Sequence, residues 1–138
     1  MSKAYNFNYA IFRYFNVAGA HEKYDIGQKG DEVTALISLV LKKVKNNNYE
    51  LEVYGNDYDT IDGTGVRDYI HVVDLVRAHI LALNILKRNE SGIFNLGNGN
   101  GFSVLEIINS AEKITGSKIS YRIVKRRLGD PAFVVASA

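Results

Sequence analysis

Two arginines offer the clearest chemistry in this 138-residue chain. The run Gly63-Thr64-Gly65-Val66-Arg67-Asp68-Tyr69-Ile70-His71 sets Arg67 at a loop-to-strand junction behind two glycines. A guanidinium is a planar fork that binds two phosphate oxygens at once, and glycine lets a ligand approach the backbone closely. On spacing alone, an Arg67–Asp68 surface pair or an interface charge explains these residues equally well. Arg127-Leu128-Gly129-Asp130 sets a cation and a carboxylate three apart around a glycine, a pair able to hold a phosphate and a sugar diol. Taken by itself, such a segment is more often a solvated turn.

Three weaker patterns compete. Gly97-Asn98-Gly99-Asn100-Gly101 lies between a strand and a helix, where backbone amides can receive a pyrophosphate. Its spacing is G-x-G-x-G, however, and the next strand ends without the acidic residue a ribose needs, so a tight strand-to-helix connection is the better reading. Tyr121 and Lys125 form the one Tyr-x-x-x-Lys pair, which on a helix would let the lysine lower the tyrosine pKa. Here the tyrosine falls in a strand, and four strand residues separate the two by roughly 13 Å. His21, His71 and His79 have no ligand spacing. His79 reads as a satisfied structural histidine, and no metal site is expected.

Strands and helices alternate to position these groups, which gives an α/β class. Residues 9–17 form an apolar, aromatic run suited to a parallel-sheet strand covered on both faces. Val33, Leu36, Ile37, Val40, Leu41 and Val44 mark one face of a helix over 31–46. Strands follow at 51–54 and 69–72, with a glycine-bearing loop over 55–68. Asp74 caps a helix to about Arg88, whose wide apolar surface implies packing on both sides. A strand at 93–97 leads to Ser103 and Glu106, which form a capping box for the next helix. Gly116 closes that helix, and an alternating strand over 119–124 follows.

Composition narrows the classes. With 46% hydrophobic and 23% charged residues, the chain is globular rather than disordered or collagen-like. It has no cysteine, which excludes disulfides and thiolate chemistry. No apolar run approaches a membrane span, and no leader pattern opens the chain, so a cytoplasmic location is the default. The formal charge of +2 is spread out, with Lys125, Arg126 and Arg127 the one basic run of three, which argues against nucleic-acid binding. Both ends fall abruptly beside apolar segments, as expected for part of a larger protein.

Taken together, RYFNVAGAH (13–21), GNDYDTIDGTGVRDYIHVVDL (55–75), FNLGNGNGFSVLEII (94–108) and RRLGDPA (126–132) resemble the UDP-glucose 4-epimerase family. These are extended short-chain dehydrogenase/reductases, with a Rossmann domain and a smaller nucleotide-sugar domain. The likeness covers essentially the whole chain in order and spacing, and corresponds to the C-terminal portion of the family fold. It implies that residues about 1–20 end the NAD-binding domain. Residues about 21–138 would then form the UDP-sugar part, with 69–88 packing back on the Rossmann domain.

The resemblance also implies roles. Phe15 matches a backbone contact to the nicotinamide end of NAD, and Asn16 an amide bonded to the substrate diphosphate. Glu52, Val53 and Tyr54 match the strand lining the uracil, with Tyr54 stacking on the base. Arg67 and Arg127 match the diphosphate clamp, Asp130 the ribose acceptor, and Val104 a position near the uridine. The family's NAD fingerprint and its catalytic Tyr-x-x-x-Lys lie upstream of RYFN, so no catalytic residue is assigned here and no turnover is expected of this chain alone. ALIS (35–38) departs from the family pattern: Ala35 removes a polar contact near the diphosphate, and Ser38 loosens the helix start. The implied ligands are UDP-glucose and UDP-galactose, with NAD held mainly by the absent portion. Self-association through exposed edges is expected. A non-catalytic nucleotide-sugar module, or another nucleotide-sugar epimerase or dehydratase, remains the alternative.

Overall fold

The computed structural model describes residues 2–24, 26–28, 30 and 33–137. In chain order the elements are α1 (Ser2–Tyr5), β1 (Ala10–Tyr14), β2 (Asn16–Ala18), α2 (Leu36–Lys45), β3 (Leu51–Tyr54) and β4 (Val66–His71). They continue with α3 (Val72–Lys87), β5 (Gly92–Leu96), β6 (Gly101–Ser103), α4 (Val104–Thr115), β7 (Tyr121–Val124) and β8 (Phe133–Val134). The chain divides into two compact units. One comprises Met1–Gly27, Asp68–Asn100 and Val135–Ala138; the other comprises Gln28–Arg67 and Gly101–Val134. Among the described residues no helix is long and apolar enough to cross a membrane.

In the first unit, β1 runs parallel to β5, with Ala10 opposite Gly92 and Tyr14 opposite Leu96. β2 runs parallel to β4, with Asn16 opposite Tyr69. The strand expected over 9–17 is therefore two strands. It breaks at Phe15, whose N–H donates to Leu96 O at 3.2 Å before the chain changes partner. The expected cover on both faces is incomplete, since Ile11 and Tyr14 are 48% and 53% exposed. α3 packs on β1 through His79. Its ring lies 4.5 Å from that of Phe12, with Nδ1 2.8 Å from Leu75 O and Nε2 2.6 Å from the Tyr14 hydroxyl. Both ring nitrogens are occupied, as the structural reading of His79 requires.

Two expectations for α3 are corrected. Its N-cap is His71, whose Nδ1 accepts from Val73 N at 3.2 Å. Asp74 falls in the first turn instead, where it pairs with Arg77 at 3.0 Å and its charge suits the positive helix end. Leu75 and Ala82 are buried, whereas Val76, Ile80, Leu81 and Leu83 are exposed, so α3 covers one side only.

The second unit is built on β3 and β7, parallel from Leu51 opposite Tyr121 to Tyr54 opposite Val124. Val40, Leu51, Val53, Ile108 and Ile119 form its core, between this strand pair and helices α2 and α4. α2 begins at Leu36, later than expected. Val33 precedes it, while Asp31 and Glu32 lie outside the described residues. Ala35 occupies the N-cap position without a side-chain cap bond, and Ser38 Oγ instead donates to Gln28 at 3.1 Å. At the other end Lys43, itself buried, donates to Asn47 O at 2.5 Å and satisfies a carbonyl just past the helix.

α4 keeps both predicted ends: Ser103 and Glu106 close a capping box, and Gly116 stops the helix at φ 67. β6, just before α4, had no signal in the sequence. The alternation read over 119–124 also fails. Ile119 is buried ahead of the strand, and Tyr121, Arg122 and Ile123 are all exposed. Tyr121 does lie in a strand, as read.

Candidate functional site

Alternation along β3 sends Val53 into the core at 1% exposure and leaves Glu52 and Tyr54 half-buried on the opposite face. Any ligand contact of Val53 would therefore be through its main chain. Glu52 faces Arg122 directly across the strand pair, and Arg122 Nη2 donates to Glu52 Oε1 at 2.6 Å. The Tyr54 hydroxyl donates to Glu52 Oε2 at 2.9 Å. The bond from Tyr54, followed by that from Arg122, holds the Glu52 carboxyl below its ordinary value.

Beyond β7 the chain turns sharply. Asp130 N donates to Arg127 O at 3.3 Å, and Gly129 adopts φ 79. This turn delivers two side chains at once. The Arg127 guanidinium carbon lies 3.9 Å from the Tyr54 ring centroid, and Asp130 Oδ1 lies 2.5 Å from Arg67 Nη2. Arg67 Nη1 also donates to Val66 O at 2.8 Å. Four of the residues singled out in the sequence thus form one cluster: Tyr54, Arg67, Arg127 and Asp130. Its cations are planar, its carboxylate is half-buried, and an aromatic face lies beneath Arg127. Such a set can grip phosphate, a diol and a flat base.

The alternative pairing of Arg67 with Asp68 does not form, because neighbouring strand residues point to opposite faces. Asp68 is instead completely buried and accepts three backbone N–H groups. Asn98 N reaches Oδ1 at 2.8 Å, while Gly99 N and Ala136 N reach Oδ2 at 2.9 and 3.1 Å. The glycine loop therefore spends two of its amides on an internal carboxylate, as a connecting turn would.

The basic run 125–127 is also partly committed. Arg126 donates to Asp57 Oδ1 at 2.5 Å and to the Asp57 carbonyl, and its guanidinium stacks 4.0 Å from the Tyr58 ring centroid. The glycine-bearing loop is tied down by Asp62. Its Oδ1 accepts from Thr64 N at 2.9 Å and Thr64 Oγ1 at 2.7 Å, while Oδ2 accepts from Ser103 Oγ. Ser103 thereby joins the loop to the start of α4. Val104, the first residue of that helix, packs half-buried against the core.

In the first unit Phe15 is half-buried at the break between β1 and β2, and Asn16 is exposed at the start of β2. Sequence reasoning missed Arg122, Asp68 and Asp62. Arg122 and Glu52 become neighbours only through strand register, which no local pattern reveals.

The model of the NAD dependent epimerase/dehydratase family matches residues 1–97. The chain is 46% identical over 136 residues to the UDP-glucose 4-epimerase of Lacticaseibacillus casei, covering 98% of this chain and 41% of that protein. It is 47% identical to the human UDP-glucose 4-epimerase over 94% of this chain and 38% of that one. Among solved structures, the UDP-glucose 4-epimerase of Stenotrophomonas maltophila, with bound NAD and formylated UDP-arabinopyranose, superposes with TM-score 0.93 at 42% identity. That match covers 99% of this chain and 41% of the other. The Bifidobacterium longum enzyme in complex with NAD+ and UDP matches with TM-score 0.85 and 46% identity, over 95% and 39% of the two chains. The chain thus spans about two-fifths of the length of the curated relatives it matches.

Proposed function

The chain belongs to the NAD dependent epimerase/dehydratase family, and from that premise we propose that it is the UDP-sugar-binding portion of a UDP-glucose 4-epimerase. The activity of the whole protein would interconvert UDP-glucose and UDP-galactose. One observation carries this reading: the turn Arg127–Asp130 brings a cation onto Tyr54 and a carboxylate onto Arg67. In this assignment Arg67 and Arg127 grip the diphosphate, Asp130 accepts from the ribose hydroxyls, and Tyr54 supplies the face for uracil. Glu52, Val53 and Val104 line the uridine. Asn16 is assigned to the diphosphate, and Phe15 to NAD, on family resemblance alone.

The described residues do not by themselves fit a dinucleotide cradle. The glycine turn, which the sequence placed between a strand and a helix, connects β5 to β6 and donates its Asn98 and Gly99 amides to Asp68. NAD would therefore be held mainly by segments beyond this chain. Its sole Tyr-x-x-x-Lys pair, Tyr121 and Lys125, begins in a strand, and no epimerase turnover is expected of the chain alone. We assign residues about 1–20 to the end of the NAD-binding domain, with 69–88 packing back on it. The grouping of Met1–Gly27 with Asp68–Asn100 supports this. A cytoplasmic location and self-association through exposed apolar edges complete the reading.

Calorimetric titration of the purified chain with UDP tests it. Binding that is lost in Arg67→Ala is the expected result. A folded chain that ignores UDP would overturn the assignment of the cluster, and turnover of UDP-galactose by the pure chain would overturn the assignment of catalysis to segments beyond it.

A further inference from the structure

Arg122 is given no ligand contact in the assignment above, yet strand register gives it a defined task. Glu52 and Arg122 are direct partners across β3 and β7. Each carboxylate oxygen of Glu52 has its own donor: Arg122 Nη2 on Oε1 at 2.6 Å and the Tyr54 hydroxyl on Oε2 at 2.9 Å. Tyr54 follows Glu52 by two residues, so both side chains leave the same face of the strand. The hydroxyl bond anchors the far end of the ring. With the near end fixed at Cα, the direction of the ring is set. Arg127 stacks on one face of that same ring at 3.9 Å, which leaves the other face to a base.

We propose that Arg122 is a positioning residue for nucleotide-base recognition: it orients Glu52, Glu52 holds the Tyr54 hydroxyl, and the ring is thereby preset to receive a pyrimidine. This rests on the UDP-sugar reading of the cluster and deepens it. The competing role, a simple stabilising ion pair, is poorly served by this geometry. The Arg122 and Glu52 side chains are 57% and 34% exposed, where solvent screens a charge pair and leaves it little net effect on stability. Glu50 also approaches Arg122 Nε at 3.3 Å, which helps hold the guanidinium in place above Glu52. An unanchored tyrosine must be ordered by the ligand at the moment of binding. Ordering one such side chain weakens affinity by about two- to tenfold.

Base and phosphate contributions separate by choice of probe, because UDP carries a base and inorganic pyrophosphate does not. Titrating the full chain with each, Arg122→Ala is expected to weaken UDP binding about two- to tenfold and to leave pyrophosphate binding unchanged. Arg122→Lys, which can still donate to Glu52, should restore most of the UDP affinity. In a Tyr54→Phe background, where no hydroxyl remains to be held, Arg122→Ala should have no further effect. Unchanged UDP affinity in Arg122→Ala overturns the inference, and so does an equal loss for UDP and pyrophosphate. If the wild-type chain binds UDP no more tightly than pyrophosphate, the base-binding reading of the cluster fails first. A preference for UDP over pyrophosphate that is undiminished in Arg122→Ala sinks the positioning role alone.

Discussion

Arg67 and Asp130, 63 residues apart in the chain, meet at 2.5 Å between Nη2 and Oδ1. Both groups assigned to the nucleotide sugar are therefore partnered with each other in the free protein. Under the proposed assignment, ligand binding would be an exchange: a phosphate would take over the guanidinium while a ribose diol takes over the carboxylate. The pair preorganises the cluster, since neither side chain has to be recruited from solvent, and the exchange keeps both charges satisfied throughout.

Breaking the two halves of this pair should have different consequences. If Arg67 grips the diphosphate as proposed, Arg67→Ala removes a charge-assisted contact and is expected to weaken UDP binding by about ten- to a hundredfold. Asp130→Asn should also weaken UDP, through the lost diol contact. It should tighten inorganic pyrophosphate, because the guanidinium no longer has a competing carboxylate. Calorimetry with both probes checks this. Pyrophosphate that binds Asp130→Asn more weakly than wild type would show that the ion pair does not compete with phosphate.

Asp68 has the opposite character. It is fully buried, and its three backbone donors belong to the glycine loop and to the segment at Ala136. Asp68→Ala leaves those N–H groups without their acceptor, at a cost on the order of 3 kcal/mol. Urea denaturation should register the loss. Hydrogen exchange should accelerate at Asn98, Gly99 and Ala136 ahead of the second unit. Uniform protection across the chain would mean that Asp68 is not the anchor of that loop.

What the sequence made legible follows from how local each signal is. The capping box of Ser103 and Glu106 and the αL stop at Gly116 depend on residues within one helix, and both are present. His79 reads correctly because its partners include its own helix. The break at Phe15 is not local: it arises because β1 and β2 pair with different strands. The cap of α3 shows a subtler failure, since Asp74 is the better capping type but β4 already delivers His71 to the cap position. Within the cluster, Arg67, Arg127 and Asp130 carried local signals that a surface pair or a solvated turn explains as well, and Tyr54 entered only through the family pattern. The Glu52–Arg122 pair depends on the register of β3 against β7, while the Arg67–Asp130 pair also needs β4 to lie beside β8.

Acid should unlock the loop held by Asp62. Burial raises the pKa of this carboxyl, but the bonds from Ser103 and Thr64 outweigh it and place the group below its ordinary 3.8. A carboxyl whose pKa is lower in the folded state stabilises the fold above its unfolded value. That contribution disappears as pH falls through the folded value. The expected window is therefore below about pH 4, with no effect from this group near neutrality. Urea midpoints measured from pH 5 down to pH 2.5 should fall less steeply in Asp62→Asn than in wild type. Parallel curves would assign the acid sensitivity to other carboxylates, among them the half-buried Glu52 and the exposed Asp57, which are displaced in the same direction.

Two glycines allow stability and binding to be separated. Gly129 at φ 79 and Gly116 at φ 67 both occupy the left-handed region, and a Cβ added at either meets nothing within 4 Å. Substituting alanine therefore costs the same kind of backbone strain at each, about 1–2 kcal/mol, with no clash. Their positions differ in what the strain disturbs. Gly116 ends α4, whereas Gly129 lies inside the turn that aims Arg127 at Tyr54 and Asp130 at Arg67. Thermal melts should show comparable losses for Gly116→Ala and Gly129→Ala, while UDP affinity should fall severalfold only in the second. If both variants bind UDP as wild type does, the turn does not set the geometry of the cluster, and its two side chains find their partners without it.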